Sequence, residues 1–190
     1  DALFTSTSAV CVTGLTVVDT AIDFTRFGQI VVMLLFQIGG LGLMTFTTFF
    51  AIFLSGGLGI KEKFILREMM HEDNIGAIGK VLSSLIILTF TLEGVGATVI
   101  FFSIKDFYPG NVEEAVFSSI FHGISAFCNA GFSIYSMNLA DPMIKNNYIF
   151  NTTISLLIIF GGLGFTAILG MPRYIKVNTK PLFAKLNMPL

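Results

Sequence analysis

The sequence predicts an all-α integral membrane protein, and three observations support this fold class. Hydrophobic residues make up 54% of the 190 positions and charged residues only 12%, whereas a soluble domain needs more charge to cover its surface. Three apolar runs are long enough to cross about 30 Å of hydrocarbon as helices. A short motif with Ser-Ala, Cys and Gly in the same frame occurs twice. The composition therefore indicates a membrane protein with an internal repeat.

The three apolar runs cover residues 27–54, 81–102 and 148–171. The first and third contain no charged residue, and the second contains only Glu93. Each run is long enough to span a bilayer as a helix with some tilt. The chain starts with Asp1 and has no basic start of a signal peptide, so we interpret it as a fragment whose beginning is missing.

Two shorter stretches, Ala2–Val10 and Val112–Phe127, are too short or too polar to cross a bilayer, and they are predicted to be re-entrant helices. The turn residues "YPGN" at 108–111 precede the second stretch. Glu113 and Glu114 suit a first helical turn because its exposed N–H groups favour negative charge. A short helix is therefore predicted to begin directly after this turn.

Two elements of the sequence are repeated. The motif "SAVCVTGLT" at 8–16 shares its frame with "SAFCNAGFS" at 125–133, and "GGLG" occurs at 39–42 and again at 161–164. Each copy therefore predicts a short helix, a loop containing Gly, and a long helix interrupted by glycines. Irregular backbone at membrane depth is tolerated only where protein covers it or where it lines a water-filled cavity. The repeated loops therefore indicate a pore.

The two loops differ in their side chains but both end on a glycine, Gly14 in the first and Gly131 in the second. A glycine there can adopt positive φ and turn successive carbonyl oxygens toward a common axis. Carbonyl oxygens can replace the hydration shell of a cation, and this chemistry leaves side-chain identity free to vary. The loops are therefore candidates for an ion filter.

These loops, "TSAVCVTGL" and "SAFCNAGFS", each followed by a glycine-broken helix, resemble the first and second pore regions of the Trk/Ktr/HKT superfamily of potassium transporters. The chain is most similar to the Ktr-type membrane subunit, over nearly its whole length. The resemblance implies helix–pore loop–helix (M1-P-M2) repeats, as in potassium channels, with four repeats around one pore. About one and two-thirds of these repeats are present, so the chain alone is not expected to conduct.

The resemblance also divides the chain into segments. Residues 1–58 hold the pore loop and inner helix of repeat 1, 59–80 form a cytoplasmic amphipathic connection, 81–171 form a complete repeat 2, and 172–190 connect to a missing repeat 3. Within repeat 2, the outer helix is expected at 81–104, the pore helix at 112–127, the filter loop at 128–133 and the inner helix at 148–171.

Eight of the eleven basic residues fall in 59–80 and 172–190. Because basic residues concentrate in cytoplasmic loops, these two segments are predicted to be cytoplasmic and the pore loops to face the extracellular side. The resemblance implies a full-length homodimer in the cell inner (plasma) membrane, bound to a cytosolic ring of nucleotide-binding (RCK-type) regulatory subunits. The two cytoplasmic segments are candidate docking surfaces for that ring, although 59–80 is also consistent with a plain linker. No basic patch with interleaved aromatic residues indicates nucleic-acid binding.

The resemblance assigns the ion-binding filter to the backbone oxygens of Cys11, Val12, Thr13, Gly14, Cys128, Asn129, Ala130 and Gly131. The implied ion is K⁺, since in related plant transporters a Ser at the first filter glycine accompanies sodium selectivity. A sodium-permeable transporter of the same family, with or without sodium coupling, stays open as an alternative. No organic cofactor and no metal site other than one for K⁺ or Na⁺ is predicted.

An ionisable group at the centre of a membrane helix costs about 2.5–3.5 kcal/mol on insertion scales, so Glu93 should face protein. We expect its carboxylate to support the filter by accepting hydrogen bonds from the pore-loop backbone or hydroxyls; the alternative is a role in permeation. Gly39, Gly40, Gly161 and Gly162 have two interpretations. They allow neighbouring backbones to approach closely, or they loosen the inner helices below the filter.

An enzyme is not predicted, because the sequence has no Ser/His/Asp set at convergent depths and no metal-ligand pair. His122 is predicted to be a packed or hydrogen-bonded helix residue. Cys11 and Cys128 occupy equivalent repeat positions, which explains both without a disulfide or a nucleophile. A non-conducting structural membrane subunit stays an alternative, although such a subunit would not need two matched loops.

Overall fold

The computed structural model describes residues 1–42 and 78–163, and within these ranges all regular structure is helical. These ranges hold helices α1 (Ala2–Val10), α2 (Arg26–Gly40), α3 (Ile78–Ile104), α4 (Val112–Phe127) and α5 (Tyr148–Gly162), with 3-10 turns at Lys105–Phe107 and Asn138–Ala140. The all-α part of the predicted fold class is confirmed for the described residues.

Within the described part of the chain, one helical stretch is long and apolar enough to cross a membrane: Ser83–Phe107, formed by α3 and the 3-10 turn after it. Helices α2 and α5 are apolar but have 15 residues each, which corresponds to about 22 Å at 1.5 Å per residue. The described parts of the apolar runs 27–54 and 148–171 thus form helices shorter than a full span, and the remainder of each run lies outside the described residues.

Both shorter helices end at the repeated glycines. Helix α2 ends at Gly40, and Gly42 then adopts φ +79°, the left-handed conformation that commonly terminates helices. Helix α5 ends at Gly162. Residues 43–77 and 164–190, which continue the two helices, lie outside the described residues. The predicted connection 172–190 lies there too, and so does the connection 59–80 except for the start of α3.

Side-chain caps define where three of the helices begin. Thr25 accepts a hydrogen bond from Gly28 N at the start of α2 (3.3 Å). Asn111 accepts one from Glu114 N at the start of α4 (3.2 Å). Asn147 Oδ1 accepts one from Phe150 N at the start of α5 (3.1 Å). Each cap satisfies one of the N–H groups that lack an intrahelical partner.

Asn147 also joins α5 to α3, because its Nδ2 donates to the Ser103 carbonyl oxygen at 2.8 Å. We expect Asn147→Ala to destabilise the full-length protein in detergent by about 2 kcal/mol. About half of this loss comes from the missing helix cap and about half from the missing interhelical hydrogen bond. Asn111→Ala removes a cap alone and should cost about 1 kcal/mol. Thermal unfolding midpoints measure the difference, and equal losses for the two variants would contradict the interhelical contribution.

Two buried clusters hold these helices together. The first joins α3, α4 and α5 and contains Ile100, Ile104, Ala126, Phe127, Tyr135, Ile144, Phe150, Ile154 and Leu157. The second joins α2 to α4 and to the loop after α4: the Phe36 ring lies 5.4 Å from that of Phe121 and stacks at 5.9 Å on that of Phe132. Edge-on and stacked aromatic pairs of this kind stabilise cores beyond their buried area. The second cluster therefore packs α2, from the first half of the chain, against α4 and its loop, from the second half.

Candidate functional site

The first loop leaves α1 by a tight backbone turn. The N–H groups of residues 11–13 donate to carbonyl oxygens in the last turn of α1 at 2.9–3.1 Å. Val12 then adopts φ +56° and Gly14 φ +72°. Positive φ is unusual for a β-branched residue such as Val12, so tertiary contacts must maintain this conformation.

The second loop follows the same backbone path after α4. The N–H groups of residues 128–130 donate to the last turn of α4 at 2.8–3.1 Å. Asn129 adopts φ +57° and Gly131 φ +72°, at the positions equivalent to those in the first loop. The two loops thus share hydrogen-bond pattern and left-handed residues although their side chains differ.

Both loops are anchored by a buried serine of the preceding helix. Ser8 forms a hydrogen bond with the Thr13 hydroxyl at 2.8 Å. Ser125, its equivalent in α4, donates to the Phe132 carbonyl oxygen at 2.6 Å. The sequence contained this signal in the repeated Ser-Ala of the motif, but the interpretation of the loops assigned no role to these serines.

The two loops meet at their glycines. A Cβ atom on Gly14 would lie 2.6 Å from the Ala130 carbonyl oxygen, and a Cβ on Gly131 would lie 3.5 Å from the Gly14 Cα. A polar cavity of about 350 Å³ lies beside this contact, lined by both glycines and by Asp19, Ser133 and Asn138 among others. The fold therefore brings together two segments that are 117 residues apart in the sequence.

The eight predicted filter residues share one further property. Among the hydrogen bonds of the described residues, none uses a carbonyl oxygen of 11–14 or 128–131 as its acceptor. Carbonyl groups at membrane depth need water, protein or an ion as a partner. These oxygens therefore have no hydrogen-bond donor among the described residues.

The inner-helix glycines pack against the ends of the short helices. A methyl group on Gly39 would overlap the Val10 carbonyl oxygen, and one on Gly161 would overlap the equivalent Phe127 carbonyl oxygen. A Cβ on Gly40 would lie 2.5 Å from the Cys128 sulfur. These three glycines therefore occupy positions of close backbone approach, the first of their two interpretations. Gly162 differs, since its nearest neighbour would be the Asn129 amide nitrogen at 3.9 Å.

Glu93 of α3 is buried, with 4% of its surface exposed. Gln37 of α2 donates through Nε2 to both carboxyl oxygens at 3.0 and 3.2 Å. The Cys128 thiol approaches one of these oxygens at 3.9 Å. Among the described residues the donors are thus a side-chain amide and a thiol, in place of the backbone or hydroxyl donors expected from the sequence. Gln37 was missed by sequence reasoning, because one uncharged polar residue in an apolar run gives no strong signal.

Comparisons with known proteins find a matching family and several relatives. A family model described as "TrkH: Cation transport protein" matches residues 1–188. The chain is 38% identical over 192 residues to Ktr system potassium uptake protein B of Bacillus subtilis (strain 168), with 99% of this chain and 41% of that protein covered. It is 36% identical over 170 residues to the protein of the same name from Vibrio alginolyticus, covering 88% and 36%.

A further relative is potassium/sodium uptake protein NtpJ of Enterococcus hirae, which is 34% identical over 190 residues, with 99% of this chain and 41% of that protein covered. The chain thus spans about two-fifths of the length of these curated relatives.

Proposed function

Because this chain belongs to the TrkH family of cation transport proteins, whose members are transporters and not enzymes, we propose that it supplies two loops of a potassium-selective filter. The ligands are the backbone oxygens of residues 11–14 and 128–131. K⁺ loses part of its hydration shell to these oxygens and moves down its electrochemical gradient across the membrane.

The main support for this proposal is the contact between two loops that follow the same backbone path. Their left-handed residues correspond one to one, and Gly14 lies directly against Gly131. Carbonyl oxygens without protein partners among the described residues line both loops. A single such loop is a common helix ending, whereas two equivalent loops meeting at their glycines are what a filter around an axis requires.

Supporting roles follow for the residues behind the filter. Glu93 holds the second loop through Cys128 and ties it to α2 through Gln37. Gly39 and Gly161 let the inner helices approach the ends of α1 and α4. The filter therefore depends on rigid surroundings more than on the identity of its side chains.

We further propose that these residues act within a longer protein that completes the ring with two more repeats. The two relatives named Ktr system potassium uptake protein B support this arrangement, because the chain matches only 41% and 36% of their length. In it, the protein is a homodimer in the plasma membrane, the loops face outward, and segments 59–80 and 172–190 face a cytosolic ring of RCK-type subunits.

Sodium permeation is the second candidate. The name of the relative from Enterococcus hirae, potassium/sodium uptake protein, supports it. Glycine at the end of both loops supports K⁺ as the transported ion. We therefore propose K⁺ as the main ion, and the experiment below also measures Na⁺.

The filter is tested by Gly131→Ser in the full-length protein, expressed in a bacterium that lacks its own potassium uptake. A Ser at φ +72° is strained by about 1–2 kcal/mol, and it would displace the carbonyl oxygens next to it. We expect K⁺ uptake to fall at least about tenfold, or the protein to admit Na⁺, because 1.4 kcal/mol corresponds to a factor of ten. Uptake of K⁺, Rb⁺ and Na⁺ is measured at equal expression.

Gly110→Ser is the matched control, because Gly110 also has positive φ, +82°, and lies in the turn before α4. A Cβ added to this glycine would have no atom of the described residues within 4 Å. The variant carries the same backbone strain away from the loops and should leave uptake unchanged. Normal expression without uptake in the wild type would instead favour a non-conducting structural subunit. Equal Na⁺ and K⁺ uptake by the wild type would favour the sodium-permeable alternative.

A further inference from the structure

A buried polar network lies behind the second loop, centred on His122 of α4, which is 3% exposed. Its Nδ1 lies 2.8 Å from the Ser118 carbonyl oxygen, and its Nε2 lies 2.9 Å from the Ser133 hydroxyl. The imidazole also stacks on the Tyr135 ring at 4.7 Å between centroids. His122 therefore contacts the chain just after the loop glycine.

These distances define the hydrogen-bond directions. A backbone carbonyl only accepts, so Nδ1 of His122 carries the proton and donates to Ser118 O. Nε2 is then the acceptor, and the Ser133 hydroxyl donates to it. The Ser133 oxygen in turn accepts from Tyr135 N at 3.0 Å. Every polar atom of this part of the network is satisfied.

The hydroxyl of Tyr135 also forms hydrogen bonds. It lies 2.9 Å from Ser118 Oγ, and it accepts a hydrogen bond from the Tyr108 hydroxyl at 3.2 Å. The segment from Ser133 to Tyr135 is thus joined to α4 and to the turn before it. Because Ser133 comes two residues after Gly131, this network limits where the end of the second loop can lie.

The first half of the chain has no counterpart to this network among the described residues. Thr5 occupies the position equivalent to His122, is fully buried, and its hydroxyl has no hydrogen-bond partner within the described part of the structure. The two loops share a backbone path, but only the second has a polar contact with its helix at this position. The network is therefore not a general requirement of the helix-to-loop turn.

We propose that His122 is a positioning residue that sets the ion preference of the pathway by fixing the backbone after Gly131 through Ser133. This inference rests on the proposed function, since it assigns a selectivity role to the second loop. The imidazole acts as a hydrogen-bond acceptor and as a stacking surface. It does not touch the ion.

The experiment compares His122→Ala, His122→Gln and Ser133→Ala in the full-length protein, expressed in the uptake-deficient bacterium. The readouts are the K⁺/Na⁺ uptake ratio and the KM for K⁺ at equal membrane expression. His122→Ala removes the acceptor of the Ser133 hydroxyl, and Ser133→Ala removes the hydroxyl itself, so we expect both to lower the ratio about five- to tenfold. His122→Gln keeps an acceptor oxygen near the position of Nε2 and should restore part of the ratio.

Thr5→Val is the matched control, because it removes a hydroxyl at the equivalent position without removing a hydrogen bond seen among the described residues. It should keep the wild-type ratio. If the wild type takes up K⁺ but Ser133→Ala keeps its ratio and KM, the inference is overturned while the proposed function stands. Ser133→Ala decides the matter even if His122→Ala fails to fold. No K⁺ uptake by the wild type would overturn the proposed function itself.

Discussion

Gly161→Ala is expected to destabilise the protein strongly and to lower the yield of folded protein, although it adds a single methyl group. The new Cβ would overlap the carbonyl oxygen of Phe127, the last residue of α4. Because the clash is between a backbone-fixed atom and a backbone oxygen, no side-chain rotation relieves it. Two helices must move apart, and overpacking of this kind costs about 1–3 kcal/mol or more. The yield of monodisperse full-length protein in detergent measures the loss.

The repeat provides a second instance of the same test. Gly39→Ala places its methyl group on the Val10 carbonyl oxygen at the end of α1, with Val12 Cγ2 at 2.9 Å. We expect a comparable loss of yield. Gly94→Ala is the control, because a Cβ on this helical glycine meets no atom within 4 Å in the part of the chain that the structure describes. That variant should be neutral or slightly stabilising, by up to about 1 kcal/mol.

Gly162→Ala separates close packing from helix flexibility. It reduces backbone freedom one residue from Gly161, but among the described residues its methyl group contacts only the Asn129 amide nitrogen, at 3.9 Å. If close packing is the reason for these glycines, Gly162→Ala folds and transports normally. A folded Gly162→Ala protein with much reduced K⁺ uptake would instead support the interpretation in which the glycines loosen the inner helix.

Glu93→Leu is expected to have the second-largest effect. It removes the acceptor for Gln37 Nε2 and the partner of the Cys128 thiol in a buried site. A buried polar group left without a partner costs about 1–3 kcal/mol, in addition to any change in packing. We expect a lower thermal midpoint and reduced K⁺ uptake, because the second loop loses its attachment to α3.

The double variant Gln37→Leu/Glu93→Leu tests whether this loss comes from the pair. Replacing both partners by apolar groups of similar shape removes the unpaired amide, so the double variant should be more stable than Glu93→Leu alone. A coupling of about 1 kcal/mol or more is expected from the double-mutant cycle. Additive losses would contradict the contact between Gln37 and Glu93 as the cause.

Much of the local structure was predictable because its signals are local. The short helix Val112–Phe127 follows from the turn before it and the acidic residues in its first turn. Positive φ at Gly14 and Gly131 is what the absence of a Cβ permits, as the glycine-ended motif predicted. An apolar run does not report where its helix ends, and only the structure shows that α2 ends at Gly40, before Gly42 in the left-handed conformation.

The partners of buried polar groups were not predictable. Glu93 was recognised as needing a donor, but Gln37 is 56 residues away and Cys128 is 35 residues away in the sequence. Val12, a β-branched residue, gave no indication of positive φ, whereas the equivalent Asn129 is of a type that adopts it more readily. His122 indicated a packed or hydrogen-bonded side chain, and its bond to Ser133 depends on how the chain turns after the second loop.

By itself, the sequence determined the helical membrane class, the internal repeat and the two glycine-ended loops, because apolar run length and residue spacing carry that information along the chain. Only the tertiary structure decided that the loops meet at Gly14 and Gly131, that Gln37 supports Glu93, and that Gly39 and Gly161 are sites of close backbone approach. The physical reason is that these contacts join distant segments, and their geometry follows from how the helices pack against one another.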